Sequence, residues 1–77
     1  MKIFVELFDH DKTIAVEIDK DDQITKLRAK IQELAGIQID DYKLVYDDEQ
    51  LLDFSTVGDY KITPDAIVMC IDRKNDG

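Results

Sequence analysis

The sequence predicts an α+β fold in which one helix covers one face of a mixed sheet, with the element order β-β-α-β-β-β. Two observations carry this. The chain opens and closes on short apolar runs that read as strands, and the opening ones alternate. Between them, Ile24, Leu27, Ile31 and Leu34 recur at helical spacing and form one apolar stripe. Strands with one apolar face and a helix with one apolar stripe satisfy each other by packing together.

The elements follow in order. In Met1 to Phe8, the residues Met1, Ile3, Val5 and Leu7 fall on one face and Lys2, Phe4, Glu6 and Phe8 on the other. Asp9-His10-Asp11-Lys12 is a polar turn, and Thr13 to Ile18 alternates again with Ile14, Val16 and Ile18 inward, so the two runs form a hairpin. Asp19-Lys20-Asp21-Asp22 breaks the strand, with Asp22 placed to cap a helix over residues 23–35. Gly36 stands where a left-handed C-cap is wanted. Tyr42 to Asp47 is a strand with Leu44 and Tyr46 on one side and Lys43 and Val45 on the other. A very short strand follows around Gln50 to Leu52, and Val57, Tyr60 and Ile62 are too irregularly spaced for another. Pro64 and Asp65 turn the chain into a last strand, Ala66 to Ile71. There the alternation is read with Ile67, Met69 and Ile71 inward and Val68 and Cys70 outward. The helical crossover lets the first and last strands pair in parallel at the sheet centre. Residues 1–72 read as one domain and 73–77 as a polar tail.

Composition bounds the function. A chain of 77 residues can bury roughly 60% of its unfolded surface, which leaves little room for a deep cavity beside the core. Its 18 acidic and 10 basic residues give a net charge of −8. That charge argues against nucleic acid and against anionic membranes, and favours basic protein surfaces as partners. Cys70 is the single cysteine, so no internal disulfide forms and a reducing compartment, cytosol or nucleus, is expected. The chain is expected to be a monomer in isolation.

Chemistry-bearing constellations are sparse. His10 sits in an acidic turn with nothing to place Ser55 beside it, and Cys70 lies mid-strand, away from any helix N-terminus that would favour a thiolate. The acidic clusters do not match a calcium loop, and one Cys with one His cannot make a zinc site. No phosphate-binding glycine motif is present. No catalysis and no cofactor are expected.

Beyond this residue-level reading, the chain resembles the ubiquitin family over nearly its whole length. The resemblance is carried by Met1-Lys2-Ile3-Phe4-Val5, Lys12-Thr13-Ile14, Lys30-Ile31-Gln32, Gly36-Ile37, Gln50-Leu51, and Asp59-Tyr60 followed by Ile62. Spacing is kept apart from one extra residue in the first turn and a single deletion near Pro64. The resemblance implies a β-grasp fold. Family members that are conjugated end in a thin Gly-Gly tail, whereas Asp76 stands here at the penultimate glycine, so conjugation through this tail is not expected. Glu6 and Glu49 replace two of the family's chain-linking lysines, while Lys12 and Lys30 persist.

Ubiquitin-like domains are usually read through a shallow apolar patch on the exposed sheet face. Alternation places Val45, Val68 and Cys70 there, Phe8 resembles the patch's mobile loop leucine, Lys43 forms a basic rim, and Val68 stands in place of the family's histidine. Phe4 and Ala15 are read as a lesser, second patch. The implied function is a non-conjugated interaction domain of a larger protein that docks on a proteasomal receptor, a ubiquitin-binding module or a ligase subunit. The alternatives are a modifier conjugated after processing and a scaffold subunit of a ligase-type complex.

Overall fold

The computed structural model describes residues 1–75. The N-terminal alternation becomes β1 (Lys2–Leu7), which buries Ile3, Val5 and Leu7. A 3-10 turn, Phe8–His10, and a left-handed Asp11 reverse the chain into β2 (Lys12–Glu17). The helix α1 spans Ile24–Ala35. It ends as expected at Gly36, which has φ 67° and donates its N–H to the Gln32 carbonyl at 2.9 Å. After it come β3 (Tyr42–Tyr46), the two-residue β4 (Glu49–Gln50), a 3-10 turn at Val57–Tyr60 and β5 (Ile67–Asp72).

The sheet order is β2-β1-β5-β3-β4, with β1 and β5 parallel at the centre and the other neighbours antiparallel. One helix across one face of this mixed sheet is the β-grasp arrangement. The core lies between them, formed by Ile3, Val5, Leu7, Val16, Ile18, Ile24, Leu27, Ile31, Leu44, Leu51, Val57 and Ile62 with Val68 and Cys70. The tight turn between β3 and β4 uses Asp47 and Asp48 at φ 54° and 64°, a conformation aspartate tolerates better than most side chains.

Three expectations are corrected. Asp22 does not cap α1. The N-cap position is Gln23, which makes no side-chain cap bond, while Asp22 Oδ2 accepts the Asp19 N–H at 3.0 Å and closes the preceding turn. That backbone hydrogen bond, with Lys26 nearby, holds the Asp22 carboxyl below its ordinary pKa despite some desolvation. The open N–H groups of the helix are met from elsewhere in the chain: Ile24 donates to Ser55 at 2.9 Å and Thr25 to Asp53 at 3.2 Å. Leu34 is not in the core. It is 55% exposed, because after Ile31 the inward position of the last turn falls to Ala35.

The third correction decides the functional face. Val68 and Cys70 are not outward; both are 0% exposed beneath α1, and Ile67, Met69 and Ile71 take the outer side. The register explains the reversal. Val68 lies opposite buried Val5, and Cys70 lies between buried Leu7 and Leu44. The strand's start is fixed by Asp65 donating to the Lys2 carbonyl at 2.8 Å and by Phe4 donating to the Ala66 carbonyl at 2.8 Å. A slip of one residue transfers a whole strand face. Assuming a deletion near Pro64 supplies that slip.

Arg28 is a core element the apolar pattern does not mark. It is 6% exposed, and its Nη2 donates to the carbonyls of Ile39 at 2.6 Å and Tyr42 at 3.0 Å, with Asp53 3.6 Å from Nε. It ties the turn after α1 to the start of β3. Arg28→Met keeps much of the apolar stem but leaves the two carbonyls without their donor. It should cost about 2–3 kcal/mol in urea unfolding, against less than about 1 kcal/mol for Asp53→Ala, whose carboxylate is half exposed.

Candidate functional site

The face of the sheet opposite α1 is built by cross-strand register. On β3 and β5, Val45 pairs with Met69 and Lys43 with Ile71. On the other side of β5, Glu6 pairs with Met69 and Phe4 with Ile67. Directly opposed residues bring their Cβ atoms to roughly 5 Å, so these side chains form one continuous surface. Met69 sits in the middle with Val45 and Glu6 on either side. Val45, Met69 and Ile71 are half-buried, Ile67 is exposed, and Lys43 and Glu6 add charge at the margin.

Phe8 leaves the end of β1 and is 59% exposed. Its turn is tied to the rest of the sheet by two contacts. Asp9 Oδ2 accepts the N–H of Asp72 at 3.0 Å, and His10 Nε2 is hydrogen-bonded to the Tyr42 hydroxyl at 3.0 Å. Burial, and then the Asp72 carboxylate, push the Tyr42 phenol above its ordinary pKa. Phe8 is therefore presented from a turn anchored to both β5 and β3.

Of the residues singled out from the sequence, the structure places Lys43 and Val45 on this face and leaves Phe8 exposed on the turn after β1. It removes Val68 and Cys70 to the core. Met69, Ile71 and Ile67 were missed. The segment Ile67-Val68-Met69-Cys70-Ile71 is apolar at every position, so alternation identifies a strand but cannot say which side faces the helix. The usable signal was unbroken numbering through the Pro64 turn. Phe4 and Ala15, read as a second patch, are direct cross-strand partners, with Lys2 Nζ 5.3 Å from the Phe4 ring centre. Among the described residues, no group of three or more His, Cys, Asp or Glu side chains could hold a metal ion.

The comparisons with known proteins agree with this architecture. The sequence model of the ubiquitin family matches residues 3–75. The chain belongs to the ubiquitin family. It is also 27% identical over 71 residues to the UV excision repair protein rhp23 of Schizosaccharomyces pombe (strain 972 / ATCC 24843). The matched stretch is 92% of this chain and 19% of that protein, so the chain spans about a fifth of its relative's length. The ubiquitin-like domain family is one of protein-interaction modules. Asp76, the residue that departs from the family's Gly-Gly tail, lies outside the described residues.

Cys70 has no part in that surface. Burial pushes its thiol up to about 11, above an ordinary value of 9.0, with Arg28 opposing the shift and Asp9 adding to it. The native domain should therefore react with a soluble thiol reagent far more slowly than the urea-unfolded chain, which colorimetric thiol titration checks. The sign of the linkage is fixed: the folded state holds the thiol proton more tightly. The contribution is intact below about pH 9 and is lost as pH rises towards about 11. Urea midpoints across that window should fall more steeply for the wild type than for Cys70→Val.

Proposed function

We propose that this ubiquitin-like domain is a non-catalytic docking module whose outer sheet face binds components of the ubiquitin and proteasome system. The observation that carries the reading is the Val45–Met69–Ile71 surface, apolar at its middle and bounded by Lys43 and Glu6. Exposed apolar clusters with a polar rim are the usual form of a protein-binding site on a small domain. An amphipathic partner helix suits a shallow sheet face of this size. Affinity should be modest, since few anchors are available to dominate it. The net charge of −8 favours partners with a basic rim.

On this reading the domain recruits a longer polypeptide of which it is one module. The match to a small part of a longer repair protein supports a modular role. A buried free thiol is compatible with the reducing cytosol or nucleus, where such partners would be met.

Titration against a panel of ubiquitin-binding helical modules and proteasomal receptor subunits tests this. Val45→Asp and Met69→Asp should each weaken binding by about tenfold or more while the amide spectrum stays that of the folded domain. Val68→Asp should unfold the chain, because it buries an unpaired carboxylate in the core. Equal binding by the wild type, Val45→Asp and Met69→Asp would exclude the face.

A further inference from the structure

Glu6 is placed unlike the acids of the turns. It lies inside β1 on the outer sheet face and is half-buried. Its cross-strand partners are Met69 on β5 and Thr13 on β2. Two residues back along the same face stands Phe4, opposite Ile67, and beyond Met69 lies Val45. Glu6 thus sits where the Val45–Met69–Ile71 surface meets the Phe4–Ile67 pair, with apolar side chains on two sides.

The cations of the face lie away from it. Lys43 is two strands off, opposite Ile71, and Lys2 Nζ is 5.3 Å from the centre of the Phe4 ring. The ion pairs among the described residues join Met1 to Glu17, Lys26 to Asp22 and Arg28 to Asp53, and none includes Glu6. The Glu6 oxygens reach solvent instead: among the described residues no buried side-chain oxygen lacks a partner.

A partner that covers Met69 takes that solvent away. An apolar group laid over Met69 reaches the neighbouring strand, roughly 4.8 Å distant, and a carboxylate stripped of water without a cation is strongly disfavoured. An acid on the partner adds repulsion to this cost. Resting on the reading that this face docks partners, we propose that Glu6 sets which partners it accepts: amphipathic helices with lysine or arginine along the Glu6 side of their apolar stripe. The stripe covers Val45 and Met69, and the base pairs with Glu6 as water leaves. Helices with neutral or acidic residues at that place are turned away. One side chain therefore supplies both attraction to the right partner and rejection of the wrong one.

The probe is the end-capped helical peptide Ser-Ala-Ala-Leu-Lys-Ala-Leu-Lys-Ala-Ala-Leu-Lys-Ala-Leu-Lys-Ala, which sets lysines along one side of a leucine stripe, together with its counterpart carrying Glu in place of Lys. Binding is read from the amide shifts of the labelled domain. The lysine peptide should shift the amides of Glu6, Val45 and Met69 and bind about tenfold or more tightly than the glutamate peptide. A basic peptide is drawn to any acidic domain, so two variants with the same change in net charge separate the site from the bulk: Glu6→Lys, and Glu33→Lys at an exposed position on α1. Glu6→Lys should reverse the order of the two peptides, while Glu33→Lys should keep it. Glu6→Gln, which retains the shape, should remove most of the preference and decides the matter if Glu6→Lys loses the folded amide pattern. The wild-type order persisting in Glu6→Lys or Glu6→Gln would overturn the proposal, as would an equal loss of preference in Glu33→Lys. Binding that survives Val45→Asp would remove the face itself as the docking site, and this proposal with it.

Discussion

The parallel pairing of β1 with β5 is the constraint on which the rest of the molecule depends. It joins the first strand to the last and places both at the centre of the sheet. Parallel neighbours require a long connection, and everything between Leu7 and Ile67 supplies it, including the helix that covers the core. The register Phe4↔Ile67, Val5↔Val68, Glu6↔Met69 and Leu7↔Cys70 places eight central side chains at once, because it sets which residues of β5 meet α1 and which meet solvent. The bonds from Asp65 to Lys2 and from Phe4 to Ala66 lock that register at its start.

Around this centre, polar groups are satisfied by contacts between distant parts of the chain. The N-terminus of α1 has no side-chain cap and relies on the carbonyls of Asp53 and Ser55. The turn after the helix is held by Arg28, whose guanidinium is buried on the carbonyls of Ile39 and Tyr42. Val57 and Gly58 donate to the carbonyls of Asp22 and Lys20, and the Tyr60 hydroxyl accepts the N–H of Leu52. The irregular segment from Asp53 to Tyr60 is thus a structural strut. In a domain too small for a large core, such bonds fix the loops that apolar burial alone would leave loose.

The two faces of the sheet then divide the work. The inner face is committed to the core, the outer face gathers Val45, Met69 and Ile71, and the free edge of β2 keeps the hydrogen-bonding capacity that every interior strand has used. Lys30 covers part of that edge at the Glu17 carbonyl, a common means of limiting unwanted pairing.

The sequence by itself determined the element types, their order and the fold class, because alternation in β1 and β2 and the Ile24–Leu27–Ile31 stripe have only one reading each. It also determined the helix stop, since Gly36 alone suits the left-handed turn there. The outward position of Lys43 and Val45 was legible because charged Lys43 marks the solvent side of β3, and the structure buries Tyr42 and Leu44 on the other side. Only the tertiary structure decided the phase of β5, the burial of Arg28, the backbone capping of α1 and the exposure of Leu34. Each depends on a partner remote in sequence. A strand that is apolar on both sides carries no record of which side the helix will cover, and a charged side chain carries none of the carbonyls that will receive it.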